Sequence, residues 1–79
     1  GGKLVMEKEN ILIACVGITD PIRSDYDGPI LHITRYYHPK KIYMILSSEI
    51  AERERKWKYN EEAVHLLVPK CEIIKIETE

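Results

Sequence analysis

The chain has 79 residues, 44% hydrophobic and 32% charged, with 12 basic residues against 13 acidic ones and a net charge of -1. That balance fits one small folded domain, excludes a disordered chain, and gives no general attraction to nucleic acid or to anionic membrane. No apolar run approaches the roughly 18 residues of a membrane-crossing helix and no signal peptide is evident, so a cytoplasmic protein is expected.

Gly1 and Gly2, with no initiator Met before them, read as a cloning remnant and are set aside. A chain of this size buries a smaller share of its surface than a typical domain, so its stability is marginal unless something supports it. Cys15 and Cys71 match no metal or CxxC spacing and read as buried free thiols in a reducing compartment.

Asn10 to Val16 is a continuous apolar run rich in Ile. Continuous rather than alternating hydrophobicity predicts a strand covered on both faces, as in a parallel sheet. A polar loop follows, from Gly17 to Gly28. Pro29 then stands where helices accept proline, in the first turn, with Asp27 or Gly28 near the N-cap. Ile30, Leu31, Ile33 and Tyr37 make an apolar stripe at helical spacing, and Pro39 ends the helix with His38 out of the α region.

Lys41 to Ser47 predicts a second buried strand. Ser47 or Ser48 can cap the next helix, and Glu49, Glu52 and Glu54 in its opening turns suit the dipole. This helical region is expected to run to about Val68. Its solvated middle is "ERERKWKYNEE", in which Asn60 marks a break or a second cap. Ala63, Val64 and Leu67 return the chain to the core, and Pro69 ends the helix. Glu72 to Glu77 reads as a third, shorter strand.

The order β-α-β-α-β predicts an α/β fold: a Rossmann-like open parallel sheet with right-handed crossovers and strand order 3-2-1. The first strand then lies at an edge. Its long apolar run makes a bare edge an aggregation hazard, so a following half-domain or a partner chain is expected to cover it.

The loop after the first strand holds three aspartates, an arginine, two glycines and two prolines between Gly17 and Pro29. An ordinary connection needs only a few residues. In open α/β sheets ligands bind beyond the carboxyl ends of the strands, where this loop, Ser47, Ser48 and two helix N-termini are all expected. Thr19 and Ser24 offer hydroxyls there, and Arg23 offers a planar fork suited to phosphate. Structural readings stand beside these. Asp20-Pro21 can start a turn, Arg23 can pair with Asp20 or Asp25, and the serines can simply cap a helix. His32 and His38 are not at zinc spacing. Trp57 with Lys56, Lys58 and Tyr59 can be a stacking patch for bases or a lone aromatic covering a partner surface. The chain has neither G-x-G-x-x-G nor G-x-x-x-x-G-K-[ST], and no nucleophile elbow.

Over about forty residues, "ILIACVGITDPIRSDYDGPILHITRYYHPKKIYMILSSEI" resembles the start of the CARF (CRISPR-associated Rossmann fold) domain of ancillary ribonucleases in type III CRISPR systems. The matching residues are Gly17, Thr19, Asp20, Pro21, Arg23, Asp27 and Gly28 in the loop. Along the next helix they are Leu31, His32, Ile33, Arg35, Tyr37 and Pro39, and after the second strand Ser47, Glu49 and Ile50. The resemblance implies that residues 3–79 form the N-terminal part of a nucleotide-sensing domain, which binds cyclic oligoadenylate as a homodimer and regulates an effector ribonuclease domain in a longer protein. It implies that Thr19 and Asp20 are the chief ligand contacts, with the backbone of Gly17 and Ile18, and Arg23, Ser47, Ser48 and Glu49 nearby. Ile18 stands where the family often has Asn or Asp. Some such domains slowly cleave their activator. The Arg-x4-6-His motif of the family's HEPN ribonuclease domain is not met by Arg35 and His38, so ribonuclease activity is not expected of this chain, and neither a cofactor nor a metal is expected.

Two other readings stay open. One is a phosphate-handling α/β enzyme using Asp20 and Asp27 with Mg²⁺. The other is a structural dimerisation module.

Overall fold

The computed structural model describes residues 10–18 and 20–78, without the side chain of Arg23; Gly1, Gly2 and Thr19 lie outside the described residues. Three strands, β1 (Ile11–Cys15), β4 (Lys41–Ser47) and β5 (Glu72–Thr78), form a sheet in the order β1-β4-β5. Both pairings are parallel, with Ile11 opposite Lys41 and Lys41 opposite Glu72. This is the expected 3-2-1 order of a Rossmann-like half-sheet.

The loop after β1 is not featureless. It folds into a two-residue hairpin, β2 (Ile22–Arg23) against β3 (Tyr26–Asp27), turned at Ser24 with a left-handed φ of 54°. Gly28 donates its N–H to the carbonyl of Pro21 at 2.7 Å and closes the hairpin's base. Helix α1 (Pro29–Tyr37) starts on Gly28 as N-cap with Pro29 at the first position. His38 ends it in the left-handed region at φ 46°, donating its N–H to the carbonyl of Thr34.

The long helical region is two helices, α2 (Ser48–Trp57) and α3 (Tyr59–Leu67), and the break falls at Lys58, with φ 54°, rather than at Asn60. Ser47 is the N-cap of α2, its hydroxyl accepting the N–H of Ile50.

Both crossovers step the same way across the sheet, so a common hand places all three helices on one face. There Leu12, Ala14, Ile42, Met44, Leu46 and Ile73 pack against Ile30, Leu31, Ile50, Ala51 and Val64. On α1 the inward position one turn after Ile30 is Thr34 rather than Tyr37, which is exposed. Its hydroxyl donates back to the carbonyl of Ile30, which lets a polar residue sit in the core.

The opposite face of the sheet carries Ile11, Ile13, Tyr43, Ile45, Ile74 and Ile76, and Ile13 is 67% exposed. Among the described residues, β1 is therefore covered on one face, not two. Cys15 points to this open side and is exposed, against the expectation of burial, whereas Cys71 is buried.

The charged stretch that runs from the second half of α2 into α3 is not wholly solvated. Glu54 is 1% exposed and Asn60 is fully buried. Helix α3 has no capping side chain at Lys58, and Glu54 supplies the missing acceptor. One carboxylate oxygen accepts the Asn60 N–H at 3.0 Å and its side-chain amide at 3.1 Å; the other accepts the Glu61 N–H at 2.9 Å. Lys75 of β5 lies 3.4 Å from Glu54 and 2.8 Å from Glu61. This hydrogen bond holds the Glu61 carboxyl below its usual range.

Candidate ligand site at the carboxyl edge of the sheet

The carboxyl ends of β1 and β4 are neighbours, linked by the Val16 N–H donating to the Ile45 carbonyl at 2.9 Å. Just beyond, Gly17 to Asp20 make a tight turn, closed by the Asp20 N–H on the Gly17 carbonyl at 3.1 Å. Ile18, at the corner, is 82% exposed.

Asp20 is 4% exposed and both of its carboxylate oxygens are engaged. One accepts the Gly17 N–H at 2.8 Å; the other accepts the Ile30 N–H of α1 at 2.8 Å. Its backbone carbonyl accepts from the Arg53 guanidinium of α2 at 3.1 Å. Asp20 thus caps α1 from ten residues upstream and fixes the turn, and the surface it offers to a ligand is that of the turn it holds.

Ser47, Ser48 and Glu49 lie at the neighbouring start of α2, exposed at the same edge. Ser48 donates to the Thr78 carbonyl at 3.5 Å. The structure therefore brings Gly17, Ile18 and Asp20 to the edge that also bears Ser47, Ser48 and Glu49. Thr19 and the side chain of Arg23 lie outside what the structure describes. Arg53 was missed from sequence, where it sat in a run of alternating charge with nothing to single it out.

Asp27 pairs with Arg35 of α1, and this hydrogen bond lowers the aspartate's pKa and raises the arginine's. Asp20 and Asp27 are both held by protein donors, and among the described residues no group of three or more His, Cys, Asp or Glu side chains is placed to hold a metal ion. The phosphate-handling reading with Mg²⁺ draws no support from this arrangement. Trp57 is not a lone aromatic. It stacks on Tyr59 with ring centroids 5.9 Å apart, and Lys56 lies 5.1 Å over its ring. This group lies at the opposite end of α2 from the Ser47–Glu49 edge.

No family model matches the chain. The sequence is 43% identical over 44 residues to the CRISPR system endoribonuclease Csm6' of Streptococcus thermophilus, covering 56% of this chain and 11% of that protein. It is 38% identical over 63 residues to the CRISPR system endoribonuclease Csm6 of Mycobacterium tuberculosis, covering 80% of this chain and 15% of that protein. The fold matches Enterococcus italicus Csm6 bound to cyclic hexa-2'-fluoro-hexa-dAMP with a TM-score of 0.78 at 25% identity, over 91% of this chain and 19% of that one.

The chain is related to the Csm6 proteins. Its Rossmann-like α/β fold is the Csm6 fold over this segment, and it is a Csm6-like CARF segment, as the resemblance implies. The Csm6-like chain spans 11% to 15% of the length of these two curated relatives. Among its described residues no helix is long and apolar enough to cross a membrane.

Proposed function

We propose that this chain is the ligand-binding part of a sensor for cyclic oligoadenylate in type III CRISPR antiviral defence, regulating an effector ribonuclease carried elsewhere in a longer protein. The observation that carries this reading is the match over 91% of the chain to a Csm6 bound to a cyclic hexanucleotide, together with the fixed turn Gly17–Asp20 beside the start of α2. The backbone of Gly17 and Ile18, with Thr19 and Arg23, meets the ring's phosphates and riboses. Ser47, Ser48 and Glu49 form the floor beside them. A helix N-terminus there favours an anion through its unpaired N–H groups. Asp20 acts by holding the turn. Two copies related by a two-fold axis offer two such edges to one symmetric ring.

A backbone amide NMR titration with cyclic tri-, tetra- and hexa-adenylate tests this. Shifts gathered in 17–20 and 47–49 for one ring size are expected. Shifts spread over Arg53 to Tyr59 instead would replace the sensor reading with unspecific binding to the basic end of α2. The open sheet face favours one further reading, an assembly module, which predicts self-association unchanged by cyclic oligoadenylate.

A further inference from the structure

Trp57 ends α2 and Tyr59 begins α3, and the single residue between them sets how their rings meet. In an unbroken helix, side chains two residues apart point about 200° from one another, so such a pair cannot stack. Lys58 interrupts the helix in the left-handed region, at φ 54° and ψ 33°, a conformation that a residue with a side chain rarely takes. The step is locked from both sides. The Lys58 N–H donates to the Glu54 carbonyl at 2.8 Å, and the Lys58 carbonyl accepts the Glu62 N–H at 2.9 Å. The Glu54 carboxylate, capping α3, holds the far side of the same step. The product is a pair of near-parallel rings, 8° between planes and 5.9 Å between centroids, each side chain about half exposed.

The charge left over at these rings is positive. Lys56 lies 5.1 Å over the Trp57 ring, and Lys58 stands between the two aromatics. Arg55 is engaged by Glu77, Glu61 is engaged by Lys75, and Glu54 is buried. Glu62, three residues beyond Tyr59 and exposed, bounds the patch on the α3 side. Parallel rings are extended by a further flat ring, and ammonium groups beside them answer phosphate. Base faces repeated along an anionic backbone are the chemistry of an unpaired nucleic-acid strand. A duplex hides those faces in its own stack. Flanking lysines suit a protein partner poorly, because lysine is depleted where protein interfaces are dry.

We propose that the Trp57–Tyr59 pair is a stacking platform for an unpaired base of a single-stranded nucleic acid, whose neighbouring phosphates meet Lys56 and Lys58. The platform lies at the end of α2 away from the Ser47–Glu49 edge and does not rest on the sensor reading. Its rings and ammonium groups meet base faces and phosphates rather than ribose hydroxyls, so ribo- and deoxyribo-strands bind alike.

Trp57 is the chain's one tryptophan, so its emission reports on the platform directly. The test is a fluorescence titration of the whole chain with single-stranded hexa-adenylate, ribo and deoxyribo. Hexa-uridylate, a blunt RNA duplex and tripolyphosphate are the comparisons. Both adenylate strands are expected to quench Trp57 equally, uridylate several-fold more weakly because its smaller base stacks less, and the duplex and tripolyphosphate hardly at all. Affinity should fall with salt at a logarithmic slope of about 1.4, since two phosphates contribute about 0.7 each. Tyr59→Leu should weaken binding about tenfold, the usual scale of a lost base stack. Lys58→Gly favours the left-handed step and removes one ammonium, so it should keep the fold and the adenine preference and lower the salt slope by about 0.7. Quenching as strong with tripolyphosphate or duplex would reduce the patch to bare charge and overturn the proposal, as would no quenching by any strand. Emission that changes with protein concentration alone would assign the rings to a contact between copies and overturn it too. Any of these failures leaves the sensor reading, which is tested at 17–20 and 47–49, untouched.

Discussion

The carboxylate of Glu54, in the middle of α2, caps α3 through the backbone and side-chain amides of Asn60 at 3.0 and 3.1 Å. A residue in one helix thus supplies the acceptor that the next helix lacks at its own start, across the sharp left-handed step at Lys58. Glu54→Ala would leave buried N–H groups without acceptors and Lys75 without one of its two carboxylates. A loss of about 3 kcal/mol is expected, from the cost of breaking a buried charged network by removing one member. Total stabilities run at about 0.05–0.15 kcal/mol per residue, so in a chain this short the midpoint of urea unfolding should fall steeply. Glu54→Gln should cost less, since it retains one acceptor oxygen.

Removal of the Asp20 side chain should destabilise the chain by about 2 kcal/mol, because the buried Ile30 N–H at the start of α1 loses its acceptor. The same substitution frees the Gly17 N–H, so a second effect is expected at the sheet edge. Amide exchange should quicken at Gly17 and Ile30 in Asp20→Ala while remaining slow in β4. Unchanged exchange at both positions would refute the capping role.

Stability should fall on acidification. Lys75 holds Glu61 below its usual pKa, and Arg35 does the same for Asp27. A carboxyl lowered by folding contributes stability above its unfolded value, and that contribution is lost as pH falls through the lowered one. The loss should therefore begin below about pH 4. Unfolding midpoints measured from pH 6 down to pH 2 should show it, with a shallower decline in Lys75→Met, whose missing amine no longer lowers Glu61.

The two thiols should react at different rates. Cys15 is exposed on the open face of β1; Cys71 is buried, and burial pushes its pKa up. A maleimide should label Cys15 in the native protein and reach Cys71 only once urea unfolds it. Equal rates in native buffer would contradict the packing around Cys71.

Strands and their order were legible because apolar runs of five to seven residues alternating with helical segments have few parallel solutions. The α1 boundaries were legible from Pro29 and Pro39, which act through the backbone alone. Three features were not. Glu54 and Asn60 look solvated in "ERERKWKYNEE", and only the fold reveals that α3 needs an acceptor where its own chain supplies none. Tyr37 fits the apolar stripe of α1 as well as Thr34 does, and a hydroxyl satisfied by Ile30 decided between them. The β2–β3 hairpin is too short for any periodicity to announce. At the site, sequence placed the turn and the start of α2 together, yet could not tell that the Asp20 carboxylate is taken by the N–H groups of Gly17 and Ile30 or that Arg53 reaches its carbonyl.

The grip of Arg53 on the Asp20 carbonyl has a thermodynamic side. Asp20 is fastened to the Gly17 N–H, to α1 through Ile30 and to α2 through Arg53 before any ligand arrives. Ordering a free backbone residue costs about 1–2 kcal/mol, so a loose loop of four residues would surrender several kcal/mol on closing around a guest. At Gly17 and Asp20 that cost has already been met in folding. Under the sensor reading, a ligand at this edge would meet a preorganised surface and keep the free energy of its contacts, with Arg53, set back in α2, helping to hold that surface.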